Sequence, residues 1–158
     1  MKPVTKLPLR HLYRISPERV FDLTIELALT TGVKLLVCGN RLPFYEMAYV
    51  LARQVGQRYE MILREKIFFA RAETGPQLVD FLSEMEADPI PVLVTDLLAR
   101  FKDADDEQID DLFFTCQIEL ERLSLTALIF VSTAMPSPPH ERLGAAFVRI
   151  TQKVDWLS

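Results

Sequence analysis

Four residues near the ends of two short apolar runs have side chains or backbone suited to binding a phosphate or a metal. Gly39 ends one run, and Asn40 and Arg41 follow it; Asp96 ends the other. A glycine after a strand lets a phosphate approach the backbone, an arginine can pair with that phosphate, and an aspartate can hold Mg²⁺. We therefore take Gly39, Asn40, Arg41 and Asp96 as the candidate nucleotide-binding residues.

The segment after Gly39 lacks most of what a phosphate-binding loop requires. Such a loop has further glycines, a lysine for the β- and γ-phosphates and a serine or threonine for magnesium. Phe44, Tyr45 and Glu46 stand where the second glycine, the lysine and the hydroxyl residue would be. The aromatic side chains would fill the cradle, and Glu46 would repel a triphosphate. The site is predicted to be vestigial, with no catalytic residue, no metal ligands and no cofactor.

The other reactive residue types form no recognisable site. Cys38 and Cys116 are not spaced like zinc ligands, and Cys38 is interpreted as a small buried residue at a strand end. The acidic segment from Asp103 to Asp111 lacks the glycine and the closing glutamate of a calcium loop. It is interpreted as the acidic start of a helix, which the helix dipole favours.

The elements that must position these residues alternate along the chain. Short apolar runs typical of strands lie at 33–39, 67–70, 92–96 and 128–131, and a last strand is predicted near 146–150. Segments with helical spacing begin after Ser16, after Pro43, at Thr74 and at about Asp106. Strands that alternate with such helices form right-handed β-α-β units. The predicted fold class is therefore α/β, a mostly parallel sheet sandwiched by helices, with ligands expected at the carboxyl ends of the strands.

Several segments resemble the core of the RecA/RadA-type recombinase ATPases of the P-loop NTPase superfamily. The similar segments are 31–55, the strand and helix start Phe68-Phe69-Ala70-Arg71-Ala72-Glu73-Thr74 with Gln77-Leu78, the strand 91–97, and the helix and strand over 108–133. The resemblance covers most of residues 20–150 and implies a RecA-like three-layer fold. Of the family's ATPase residues only Gly39 and Asp96 match, and the phosphate-loop lysine and the acidic strand that supplies the catalytic base are missing. The resemblance is therefore to a degenerate core.

A RecA-like core without the ATPase residues implies a non-catalytic accessory or regulatory protein. Such a protein would act through a protein partner or as a homo-oligomer, in DNA recombination or repair. The alternative is a nucleotide- or anion-binding protein, including an ATPase, with a different site at the carboxyl ends of the strands. Phe69 to Ala72 also spells the Phe-x-x-Ala of recombinase self-association segments, but because it lies in a predicted buried strand, we interpret it as core.

Composition sets the limits on size, partners and compartment. The chain has 158 residues, 49% of them hydrophobic, which fits one domain; we predict an N-terminal arm at 1–15 and a single domain at 16–158. The net charge of −4, with 18 basic and 22 acidic residues, predicts weak or no direct binding of nucleic acid. No apolar run is long enough to span a membrane, so we expect a cytoplasmic protein without a membrane contact.

Overall fold

The computed structural model describes residues 4–39, 43–101, 104–133 and 141–154. Its strands are β1 (Leu12–Arg14), β2 (Val33–Val37), β3 (Ile67–Arg71), β4 (Val92–Thr95), β5 (Ile129–Val131) and β6 (Gln152–Lys153). Its α-helices are α1 (Val20–Thr30), α2 (Phe44–Val55), α3 (Tyr59–Glu65), α4 (Gly75–Glu84), α5 (Asp106–Ser124) and α6 (Glu141–Ile150). Short 3₁₀ helices lie at Val4–Lys6, Pro17–Arg19, Gly56–Arg58 and Leu97–Phe101.

The strands form one parallel sheet with the order β3-β2-β4-β5-β1-β6. Successive side chains of a strand point to opposite faces, so neighbours such as Leu35 and Leu36 enter different cores. One core joins the sheet to α1, α2 and α3, and the other joins it to α4, α5 and α6. The predicted fold class, a parallel α/β sheet between two helical layers, is confirmed.

Local sequence explains where several elements begin and end. Two glycines in the left-handed region follow helices, Gly32 (φ +84) after α1 and Gly56 (φ +64) after α2, because residues with a Cβ rarely adopt that conformation. Thr74 caps α4 by accepting a hydrogen bond from the Gln77 backbone N–H at 3.1 Å. In turn, the side-chain oxygen of Gln77 accepts a hydrogen bond from the Glu73 backbone N–H at 2.6 Å.

Two segments differ from the sequence prediction. The strand predicted near 146–150 is part of helix α6, because Leu143 and Phe147, four residues apart, both enter the core. The strand that does form there is β6, two residues further on. Helix α3 was not predicted. Only one of its seven side chains, Ile62, is buried, so the segment shows no repeating apolar spacing from which a helix could be recognised.

The N-terminal segment, predicted as an arm, contains a strand of the sheet. Leu12–Arg14 pairs with β5 on one side and with β6 on the other. Tyr13 is 1% exposed and lies against Phe130 with a ring-centroid distance of 5.9 Å. Three residues are too few for strand periodicity to be recognised in the sequence. Across the described residues no helix combines the length and apolar character needed to cross a membrane.

Candidate functional site

At three places the carboxyl edge of the sheet lies between neighbouring strands whose following helices are on opposite faces: between β3 and β2, between β2 and β4, and between β5 and β1. β2 leads into α2 and β4 into α5, which belong to different helical layers. The same holds for β1, which leads into α1, and β5, which leads into α6. Parallel sheets bind ligands in such crevices. We call the opening between β2 and β4 the Gly39 crevice, because Gly39 lies just beyond the end of β2. We call the opening between β1 and β5 the α6 cavity.

The structure brings Gly39 and Asp96 together in the Gly39 crevice. A Cβ built on Gly39 would overlap Asp96 Oδ2 and would lie 2.7 Å from Asp96 Cβ. The aspartate side chain therefore packs directly onto the glycine and occupies the space beside the turn. Asn40 and Arg41, the other two candidates, lie outside the described residues.

The position of Asp96 is set by its backbone. Asp96 has a φ of +51, in the left-handed region that non-glycine residues seldom adopt. Its N–H donates to Ser132 Oγ at 3.0 Å, and the Ser132 N–H donates to the Val94 carbonyl at 3.0 Å. The end of β5 thus holds the turn after β4 and keeps the carboxylate against Gly39.

Arg100, which sequence reasoning missed, joins the ends of two strands beside this crevice. Its Nε donates to the Cys38 carbonyl after β2, and its Nη1 donates to the Glu73 carbonyl at 3.1 Å, after β3. The guanidinium thus binds the chain's own carbonyl groups. The 3₁₀ helix Leu97–Phe101 places Arg100 beside the crevice. No spacing in the sequence indicates that Arg100 contacts the Cys38 and Glu73 carbonyl groups.

Cys38 is buried, as predicted, and its thiol is protonated at neutral pH. Burial is the largest influence on its thiol and raises the pKa to about 12, with a smaller contribution from Cys116. A thiol is nucleophilic only as the thiolate, so Cys38 is unreactive at neutral pH. Within the described residues no three His, Cys, Asp or Glu side chains converge as metal ligands would.

The α6 cavity has a volume of about 860 Å³. It lies between the β1–α1 turn, the end of β5, helix α6 and β6. The described residues that line it are Arg14, Ile15, Ser16, Pro17, Thr133, Glu141, Gly144, Ala145, Phe147, Val148, Arg149 and Lys153. Sequence reasoning missed it because these residues come from separate segments and because α6 was predicted to be a strand.

Five exposed aromatic side chains lie along α2 and β3 at one edge of the sheet, and we call them the aromatic edge surface. Their exposed fractions are 38% for Phe44, 92% for Tyr45, 64% for Tyr49, 50% for Phe68 and 47% for Phe69. Phe44 and Phe69 pack edge to face at 5.0 Å, and the Arg53 guanidinium lies 5.8 Å from the centre of the Tyr49 ring. The prediction that β3 is buried is wrong: among the described strands β3 pairs only with β2, and Phe68 and Phe69 are about half exposed.

Comparison with known proteins gives no family for this chain. No family model matches it, and no curated protein is similar enough to match.

Proposed function

We propose that this chain is a non-catalytic accessory or regulatory protein of RecA-like type that acts by binding another protein. The observation that carries the proposal is the aromatic edge surface. Tyrosine, phenylalanine and arginine are enriched at protein interfaces, where rigid aromatic side chains bury a large area at low entropic cost. Five such side chains at one sheet edge, with Arg53 beside them, match that composition.

The edge strand adds a second mode of contact. The outer side of β3 carries backbone N–H and C=O groups that pair with no other strand in the part of the chain that the structure describes, and another chain can use them to extend the sheet. Soluble proteins usually protect such edges with charged residues, proline or a covering segment. The middle of β3 instead presents Phe68 and Phe69, whose side chains point to opposite faces of the sheet, so a strand added there would run beside both rings and would meet Phe44 and Phe69 on the α2 face.

The Gly39 crevice supports the non-catalytic part of the proposal. Phosphoryl transfer depends on groups that position the phosphates and stabilise their charge. Here the Asp96 carboxylate packs onto Gly39, and Arg100 binds backbone carbonyl groups beside it. A triphosphate would meet a carboxylate there instead of a cradle of N–H donors. The resemblance to recombinase cores suggests DNA recombination or repair as the process in which a partner is to be sought.

The test is affinity capture from native extract with three forms of the chain. The wild type is compared with Tyr45→Ser/Tyr49→Ser, which alters the most exposed rings of the aromatic edge surface. The matched control is Phe114→Ser/Ile118→Ser on α5, whose side chains are 60% and 45% exposed on the opposite helical layer. We expect a protein that is retained by the wild type and the α5 control and is reduced about tenfold by the edge variant.

Two results would contradict the proposal. One is a captured set that is the same for all three forms, or that is lost only with the α5 variant. The other is magnesium-dependent ATP hydrolysis by the wild-type chain. Light scattering on the same samples tells a second copy of the chain from a different partner, because only self-association raises the mass of the purified protein.

A further inference from the structure

We propose that the α6 cavity binds a small organic monoanion, a carboxylate with an apolar body. The cavity lies at the carboxyl edge of the sheet, between β1 and β5, where the following helices α1 and α6 belong to opposite layers. Its volume of about 860 Å³ is typical of pockets that hold small molecules. This inference is independent of the protein-binding proposal, because the aromatic edge surface is at the other end of the sheet.

The wall of the cavity fits the apolar body of such a ligand. Ile15 and Pro17 contribute from the β1–α1 turn, and Phe147 and Val148 contribute from α6. Ile15 and Phe147 are buried, so this part of the wall is set by the core. Burying an apolar ligand surface against these side chains supplies the hydrophobic part of the affinity.

The charges around the cavity favour one negative charge. Among the described residues that line it, Arg14, Arg149 and Lys153 are cations and Glu141 is the one acid. The lining is therefore positive in a chain whose net charge is −4, and such a local excess attracts an anion. Within the described residues neither Arg149 nor Lys153 forms an ion pair. Glu141 would oppose a ligand with several negative charges.

Arg14 is already held at the cavity. Its Nη1 donates to Thr151 Oγ1 at 3.2 Å and to the Val148 carbonyl at 3.4 Å. A guanidinium has five N–H donors in a planar fork, so others are left for a ligand, and the fork matches the two oxygens of a carboxylate. These two hydrogen bonds thus fix the Arg14 guanidinium at the wall of the cavity.

The turn beside the cavity disfavours a phosphate. Phosphate sites at the start of a helix use several backbone N–H groups. The turn here runs through Ser16 to Pro17, and Pro17 has no N–H to donate. Side-chain cations, rather than a backbone cradle, are the donors that this cavity offers.

The test uses the fluorescent aromatic sulfonate 8-anilinonaphthalene-1-sulfonate, an organic monoanion. We expect saturable binding to the full chain and displacement by decanoate, an apolar carboxylate. Arg149→Gln/Lys153→Gln removes two exposed cations and is expected to raise the Kd of the probe about tenfold. The matched control, Arg53→Gln/Lys66→Gln, makes the same change of net charge near the aromatic edge surface and should leave the Kd unchanged.

Three results would overturn the proposal. The first is a cavity variant that binds the probe as tightly as the wild type. The second is a loss of binding in the control variant instead, which would place the probe at the aromatic edge surface. The third is displacement by AMP at lower concentrations than by decanoate, which would make the ligand a phosphate. Circular dichroism melts of both variants verify that the charges were removed from folded protein.

Discussion

The contact between Gly39 and Asp96 is the tightest constraint at the candidate site. A side chain at position 39 would overlap not only the carboxylate but also the Cβ of Asp96. Something must then shift, and Asp96 can shift little because Ser132 Oγ holds its N–H. This glycine is therefore required for packing against the neighbouring turn, whether or not a ligand binds there.

We predict that Gly39→Ala lowers the free energy of unfolding by about 1–3 kcal/mol, the usual cost of overpacking. Asp96→Gly should restore part of that loss, because it removes the clashing side chain and glycine tolerates the φ of +51. Urea denaturation of the two single variants and the double variant measures the coupling. Strictly additive effects would contradict the contact.

Gly56→Ala is the control for this cycle. Gly56 has a φ of +64, but nothing lies within 4 Å of a Cβ built on it. Because Gly56 also has a ψ of −135, alanine there introduces backbone strain of about 1–3 kcal/mol without a clash against another element. Asp96→Gly should leave that cost unchanged, and a rescue of Gly56→Ala would show that Asp96→Gly acts through some other effect.

Strand β1 is the element that the N-terminal segment contributes to the fold. It separates β5 from β6, so removing it deletes an interior strand of the sheet. Tyr13 fills the core on the α1 side, and its hydroxyl donates to the Pro8 carbonyl. A detachable arm would lack all of these contacts.

We predict that deletion of residues 1–14 prevents stable folding, and that Tyr13→Ala costs about 3–5 kcal/mol, as is typical for the loss of a large buried aromatic side chain. Leu9→Ala, at a side chain that is 43% exposed, should change stability little. Thermal melts by circular dichroism measure all three. A truncated chain that melts close to the wild type would contradict the assignment of β1 to the sheet.

At the scale of the whole molecule, charge decides what the surface attracts. The net charge is −4, and the exposed side of the first turns of α5 carries Asp106, Glu107, Asp110 and Asp111. Affinity for nucleic acid comes mainly from cations that neutralise phosphates. The basic groups around the α6 cavity are too few to outweigh this acidic surface.

We therefore predict that the purified chain binds single-stranded DNA weakly or not at all at physiological salt. Fluorescence anisotropy with a labelled oligonucleotide measures this, and lowering the salt should strengthen any residual binding. Submicromolar affinity at physiological salt would contradict the prediction and would also count against a function exerted only through protein contacts.

The sequence by itself determined the types of most elements, because burial leaves a local pattern. The runs that became β2, β4 and β5 are apolar except for Lys34 and Thr95, since interior strands of a parallel sheet are covered on both faces. Gly32 and Gly56 marked the ends of α1 and α2 because left-handed backbone is a local requirement. The order of alternating elements was enough to predict the parallel α/β class.

Tertiary structure decided which elements are neighbours, and therefore where the candidate sites are. β3 has the apolar sequence of an interior strand but lies at an edge, so Phe68 and Phe69 are exposed. The segment 146–150 contains residues that favour a strand, yet it is helical because Phe147 packs one turn after Leu143. Periodicity records how much of a segment is buried, whereas strand order depends on contacts between residues far apart in the chain. For that reason the Gly39–Asp96 contact, the α6 cavity and the aromatic edge surface became visible only in the folded molecule.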